Sequence, residues 1–339
     1  MTRRSTTPWL MPALLGTAAA LGTSALYAVS KAREAERRTP PIGDFMTVDG
    51  VRLHYIVRGH GQPLVLIHGN GTMIQDFLIS GIVDELAKRY RVIIFDRPGY
   101  GYSSRPRGLW TPRAHATLYE KALERLGVSK AVVLGHSWGS LVAVALALQA
   151  PGLVRSLVLA SGYYYPTLRA DVILASPPAI PGLGDVLRYT VSPLLTRLLW
   201  PAASKRVFSP MQVSERFKRF PTWMALRPKQ LRAAAAETAL MIPAAASLAK
   251  RYPELKVPVV VVAGTGDKIV DSGHNSERLN ERLADSQLQL QPGVGHMTHY
   301  AHPEKVMAAI DEIAAHVGER VHMRTPQAEA LARASESGV

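Results

Sequence analysis

Five short runs constrain this chain more than any other feature: "PLVLIHG" at 63–69, "RVIIFD" at 91–96, "KAVVLG" at 130–135, "RSLVLAS" at 155–161 and "VPVVVVAG" at 257–264. Each is apolar at consecutive positions, as a strand buried on both faces must be. Helical segments separate the first four. "TPRAHATLYEKALERLG" (111–127) has Thr at the N-cap, Pro at the first helical position and Gly at its end. "IVDELAKRY" and "WGSLVAVALALQAPG" also read as helices. This alternation predicts a mostly parallel central sheet with helices on both faces. "FMTVDGVRLHYIVRG" precedes it as a hairpin turning at Asp49-Gly50. "SQLQLQ" (286–291) adds a strand after the fifth run, with helices expected near 276–284 and from 303 to about 317.

The alternation breaks between 162 and 256, a helical, Pro-punctuated stretch without a convincing buried strand. A helical insertion inside a parallel sheet is most simply a cap over the carboxyl ends of the strands, where ligands bind. The expected organisation is a core of 40–161 and 257–317, a cap of 162–256, and a disordered tail of 318–339.

Residues 9–30, "WLMPALLGTAAALGTSALYAVS", carry no charge. As a helix they reach about 33 Å, enough to cross a bilayer core. The leading reading is an uncleaved single-span anchor. A cleaved signal peptide ending at "TSA" (23–25) and an interfacial or buried helix are the alternatives. Two Lys/Arg precede the span and four follow it in 31–38, a count too even to fix the side of the membrane. "KAREAERRTPPIG" (31–43) reads as a charged spacer, completing a 1–39 N-terminal segment.

The formal net charge is +14. Neither a stripe of Lys/Arg interleaved with aromatics nor a nucleic-acid module is present, so we read a basic surface beside a membrane, with no nucleic-acid partner. The chain has no Cys, which removes Cys nucleophiles, thiolate metal sites and disulfides. No nucleotide loop is evident, and no cofactor is expected. Oligomeric state is not readable.

"GHSWG" at 135–139 fits G-x-S-x-G, with a strand before it and a helix after it. That setting turns a weak pattern into a nucleophile elbow, in which a sharp turn lifts the Ser oxygen clear of the sheet. A serine hydroxyl needs a base, and the base an orienting group. Asp267 follows the fifth run in "GTGDKIV", and His296 stands in "GVGHMTH" after the next strand. The order Ser, acid, His is that of this architecture. Asp271 is an alternate acid, and His299 and His302 are alternate bases. The three histidines lack a carboxylate or Cys to complete a metal site, so no metal is expected.

"LIHGNG", "FDRPGYGYS", "GHSWGS", "GTGDKIV" and "GVGHMTH" occur in this order across residues 45 to about 317. On these motifs the chain resembles the α/β-hydrolase superfamily, in its cap-bearing serine branch. The resemblance implies Ser137 as nucleophile, His296 as general base and then acid, and Asp267 as its orienter. It implies an oxyanion hole from the backbone N–H groups of Asn70 and Trp138. His68 and His136 would be structural supports, and Asp96 a buried turn organiser. Tyr163, Tyr164 and Tyr165, where the cap leaves the sheet, are candidate pocket residues. His299 and His302 are expected to face solvent or pack under the cap.

Asn70 and Trp138 also resemble the halide-holding pair of haloalkane dehalogenases, and epoxide hydrolases share the Trp. Both families use an Asp nucleophile, whose alkyl ester water can hydrolyse. Ser137 would form an ether, which water cannot. A Ser nucleophile wants a carbonyl carbon. The expected function is therefore a serine hydrolase of an ester, lactone or thioester in a capped, largely apolar pocket. A C–C hydrolase of ring-cleavage products, a cofactor-free haloperoxidase or perhydrolase-like enzyme, and a non-catalytic binding protein on this fold are the alternatives.

Overall fold

The computed structural model describes residues 10–316. Eight strands form one sheet: β1 (Asp44–Val48), β2 (Val51–Arg58), β3 (Gln62–Ile67), β4 (Tyr90–Phe95), β5 (Ala131–His136), β6 (Val154–Ala160), β7 (Val259–Gly264) and β8 (Ser286–Gln291). Their order across the sheet is β1-β2-β4-β3-β5-β6-β7-β8. β1 and β2 pair antiparallel, β2 joins β4 antiparallel, and every later pairing is parallel. The hairpin turns at Asp49 (φ 47°) and Gly50 (φ 75°). Positive φ at both central residues is what a tight two-residue hairpin turn demands.

The uninterrupted apolar runs are explained by cover on both faces. Alternate side chains of one strand enter opposite cores. Val65 and Ile67 of β3 pack with the helices Pro112–Arg125 and Trp138–Gln149. Leu64 and Leu66 pack on the other face with Ile74, Phe77, Ile310 and Ile313. The first helix of that pair starts as read from the sequence, with Thr111 Oγ1 accepting from the Ala114 N–H at 3.2 Å. This is the α/β-hydrolase fold expected from the sequence, with helices on both faces.

Among the described residues, 162–256 contain helices and no strand. The segment includes the helices Ala170–Ala175, Leu183–Tyr189, Val191–Phe208 and Pro228–Ala249.

The N-terminal helix differs from expectation in extent. It runs unbroken from Leu10 to Arg38, so residues 31–38 are helical rather than a loose charged spacer. Specific contacts hold that end. Ala35 is buried against Met73, Phe220 and Met224. Glu36 pairs with Arg227 at 2.8 Å, and the Tyr102 hydroxyl donates to Thr39 O at 2.6 Å. Trp9 and the tail 318–339 lie outside the described residues.

Candidate active site

Ser137 sits between β5 and the helix Trp138–Gln149 at φ 53°, ψ −120°. A non-Gly residue there is strained, and the surroundings must hold it. The Ser137 N–H donates to Ala160 O on β6 at 2.9 Å. The flanking glycines are required by close approach. A Cβ on Gly139 would lie 2.1 Å from Ile67 O, and one on Gly135 would lie 2.5 Å from Gly139 O.

Asp267 and His296 come together from the loops after β7 and β8. His296 Nδ1 lies 2.7 Å from Asp267 Oδ2, and both side chains are nearly excluded from solvent. The other carboxylate oxygen, Oδ1, accepts from the N–H groups of Ile269 (2.7 Å) and Val270 (3.0 Å). Its direction is thereby fixed. Asp271, the alternate acid, accepts from the His274 N–H at 2.7 Å, and the carboxylate that meets His296 Nδ1 is that of Asp267. The His296 N–H donates to Val207 O of the cap at 2.9 Å. His296 and Ser137 line one cavity of about 310 Å³.

The cavity floor is Gly69, Asn70, Gly71 and Thr72 from the loop after β3. Its walls are mostly apolar: Trp200, Val207, Phe217, Met241, Ile269 and Met297. Among the described residues no group of the protein accepts the backbone N–H of Asn70 or of Trp138. Asn70 lines the cavity, whereas Trp138 is buried behind Ser137 and is not among the lining residues. The Asn70 side chain is committed elsewhere, whereas the buried Trp138 Nε1 has no hydrogen-bond partner. The Asn70 amide gives its hydrogens to Ala234 O (3.2 Å) and Thr238 Oγ1 (2.9 Å) on the helix Pro228–Ala249. The Trp138 ring is buried in the core beneath the elbow.

Tyr163, Tyr164 and Tyr165 do not line this cavity, contrary to the sequence reading. All three are buried. The Tyr164 and Tyr165 N–H groups donate to Asn275 Oδ1 at 2.8 and 3.1 Å, and the Tyr252 hydroxyl donates to Tyr164 O at 2.6 Å. The Thr167 N–H donates to the Tyr163 hydroxyl at 2.7 Å. Tyr164 and Tyr165 turn into the main core, and Tyr163 packs behind the cavity walls Met241 and Ile269.

His68 is a support of defined tautomer. Its Nε2 accepts the Arg97 N–H at 3.0 Å, so Nδ1 carries the proton and donates to Gly69 O at 2.9 Å. Burial, reinforced by the Arg97 charge, lowers its pKa to about 4. His136 donates from Nε2 to His296 O at 3.1 Å and thus holds the backbone of the candidate base. Burial, with the neighbouring His299 and His296, pushes its pKa well down and keeps it neutral. Asp96 accepts from the N–H groups of Ile74 and Tyr102 at 3.0 and 2.9 Å, as a turn organiser should.

His299 is not solvent-facing. It is fully buried, with Nε2 3.4 Å from Asp76 Oδ2 and its ring 4.5 Å from that of His136. Burial pushes the Asp76 carboxyl up, but His299, His136 and His68 together outweigh it and the pKa falls below the usual value. Asp76, His136 and His299 bring ligand-type atoms within 4.8 Å of one another beneath the elbow. His302 is partly exposed and meets Glu304 at 3.0 Å.

One buried charged group beside the site escaped the sequence reading. Glu237, on the helix Pro228–Ala249, is fully buried. It pairs with Arg97 at 2.5 Å and lies 2.6 Å from the Tyr100 hydroxyl, which is 2.7 Å from Asn70 Oδ1. Arg97 also donates to Gly69 O at 2.8 Å. Burial raises the Glu237 carboxyl, yet Arg97 and His115 overcome this and hold it at about 2. A buried network therefore ties the cap to the loop that presents the Asn70 N–H. Its only sequence signal is a lone acid in "AAAAETAL".

A parallel sheet with this strand order, a strained Ser after β5 and a His–Asp pair after β7 and β8 define an α/β hydrolase. The chain matches the alpha/beta hydrolase fold family over residues 62–303 and belongs to it. It is 28% identical over 274 residues to haloalkane dehalogenase 2 of Mycobacterium tuberculosis (strain ATCC 25618 / H37Rv), covering 77% of this chain and 91% of that one. Its fold is similar to that of a thermophilic esterase from Thermogutta terrifontis, with a TM-score of 0.66 and 22% identity over 81% of this chain and 99% of that one. It is also similar to a bacterial membrane phospholipase A, with a TM-score of 0.62 and 22% identity over 91% of this chain and 98% of that one. By class the chain is a hydrolase.

Proposed function

We propose that this hydrolase cleaves a carboxylic ester, lactone or thioester through an acyl-enzyme on Ser137, with His296 as base and Asp267 as its orienter. The observation that carries the reading is the 2.7 Å contact between His296 Nδ1 and Asp267, with His296 and Ser137 on one cavity. A proton held on Nδ1 by the carboxylate leaves Nε2 as the free base. The Ser137 oxygen attacks the carbonyl carbon, and its proton passes to His296 Nε2. The tetrahedral oxyanion takes the N–H groups of Asn70 and Trp138, each donor contributing about 3 kcal/mol in the transition state. His296 then protonates the leaving oxygen or sulfur. Water reverses the sequence and frees the acid.

The apolar walls favour an apolar acyl group. The likeness to a membrane phospholipase A adds support for an acyl ester at a membrane, since it covers 91% of this chain against 81% for the esterase. Halide chemistry is disfavoured twice over. A Ser–alkyl ether would not turn over, and the Asn70 amide that would hold a halide is spent on the cap helix. We read the apolar part of the helix Leu10–Arg38 as an uncleaved anchor.

Labelling with a fluorophosphonate probe tests the mechanism. Wild type should label and should hydrolyse p-nitrophenyl esters, while Ser137→Ala should do neither. Equal labelling of both proteins would remove Ser137 as nucleophile.

A further inference from the structure

The helix Val191–Phe208 is apolar on opposite sides. Trp200, Ser204 and Val207 face inward, and all three line the cavity beside Ser137. Leu194, Leu195, Leu198 and Leu199 face outward and are exposed, Leu198 by 76%. Four leucines on one helix with nothing of the protein over them belong against another apolar surface, and the exposed Arg197 among them has a side chain long enough to carry its charge to an interface. Its neighbours continue the surface: Ile173 and Leu174 are exposed by 76% and 80%, and Leu183 and Val186 by about half. An apolar face of this extent marks a site of association.

Charge and depth identify the occupant. The two carboxylates within residues 168–199, Asp171 and Asp185, are each paired with an arginine, Arg169 and Arg188. The face therefore presents no unpaired acid. It also adjoins the N-terminal helix, where Ser24 Oγ donates to Thr190 O at 2.7 Å and Tyr27 packs edge-on against Trp223. Ser24 lies about 10 Å along the helix axis from Lys31, the first charge after the apolar run. If the run spans a bilayer, Thr190 and the adjoining cap helices stand at that depth below the charged level. Polar groups on the helix are already satisfied internally, as Thr17 and Thr23 donate to Ala13 O and Ala19 O at 2.9 and 3.0 Å.

We propose that the outer face of the cap, formed by residues 168–199, is immersed in the bilayer beside the N-terminal helix. The helix Val191–Phe208 is then a wall shared by lipid and the catalytic cavity. An amphiphilic acyl ester reaches Ser137 from the lipid phase without crossing water. This last consequence rests on the proposed ester chemistry; the immersion does not.

The chain has no Cys, so one introduced thiol gives one label. Full-length Leu198→Cys, Leu174→Cys and Ser129→Cys, the last exposed just before β5 at the end of the strand opposite Ser137, are labelled with bimane. They are reconstituted in vesicles of phosphatidylcholine and phosphatidylglycerol. Immersion predicts that a lipid-borne nitroxide quenches the first two labels at least threefold more than the third, while aqueous iodide quenches only the third. Iodide quenching of the Leu198 label equal to that at 129 overturns the proposal. So does shielding of that label without lipid quenching but with disulfide capture between two copies, which would assign the face to a dimer. In a kinetic arm, Leu198→Glu with Leu174→Glu should hydrolyse a short soluble ester within twofold of wild type and a vesicle-embedded long-chain ester at least tenfold more slowly. An equal loss on both substrates overturns lipid-phase access. Absence of all ester turnover in wild type would sink the function proposed above and leave the quenching result to decide the surface.

Discussion

Arg97, just past β4, and Glu237, in the cap helix Pro228–Ala249, form an ion pair of 2.5 Å with neither side chain exposed. The pair couples the cap to the oxyanion loop, because Arg97 also holds Gly69 O and the Tyr100 hydroxyl bridges Glu237 and Asn70. Removing one partner leaves a buried charge without compensation, at a cost of about 3–5 kcal/mol. Glu237→Ala should therefore lower the chemical-denaturation stability by about that amount. Turnover should fall with it, since the loop carrying the Asn70 N–H loses its tie. A Glu237→Ala protein with wild-type stability would show that the pair is not formed in solution.

The elbow makes a second prediction. Gly139→Ala places a Cβ about 2.1 Å from Ile67 O, and the clash is with backbone that cannot swing away. The strand and helix must separate, which moves Ser137 and the Trp138 N–H together. Probe labelling of Ser137 should fall at least a hundredfold in Gly139→Ala. Gly152, where a Cβ would meet open space, is the control, and Gly152→Ala should label as wild type does.

What the sequence made legible follows from which physical signals are local. The central strands declared themselves because burial on both faces forces every position to be apolar. The elbow did so because its chemistry needs fixed residues at fixed spacing. Glu237 stayed hidden because its partners, Arg97 and Tyr100, lie some 140 residues away in sequence. Tyr163, Tyr164 and Tyr165 were placed in the pocket by their position after β6, but Asn275 takes two of their N–H groups and turns the chain inward. The outer face of the cap looked in sequence like any apolar helix. Only packing shows which of its leucines have nothing of the protein to cover them.

His296 and His299 are three residues apart and should behave oppositely on mutation. His296 lines the cavity and meets Asp267, whereas His299 is sealed beneath the elbow beside Asp76. His296→Ala should abolish ester turnover. His299→Ala removes the nearest partner of a buried carboxylate and should cost about 3–5 kcal/mol. Residual turnover per folded molecule should nonetheless be measurable. Full loss of turnover in a folded His299→Ala protein, with activity kept in His296→Ala, would move the base.

Acid should destabilise the fold well before the carboxylates titrate, and His68 supplies the reason. Its pKa is lowered to about 4 in the folded state by burial and by Arg97, against about 6.5 in an unfolded chain. Between those values the unfolded chain binds the extra proton and the folded one does not, so stability rises with pH across the window. The contribution is fully present above pH 6.5, is lost as pH falls toward 4, and amounts to about 3 kcal/mol. Glu237, held at about 2, acts in the same direction in the next window down, below the ordinary Glu value near 4.3. Denaturant titrations of wild type at intervals from pH 7 to pH 4 should show this slope. His68→Gln, which cannot titrate, should lose up to one proton's worth of it, about 1.4 kcal/mol per pH unit. Parallel slopes for the two proteins would mean that His68 is protonated, or solvated, in the native state. The hydrogen bond from the Arg97 N–H to Nε2 would then have to be abandoned.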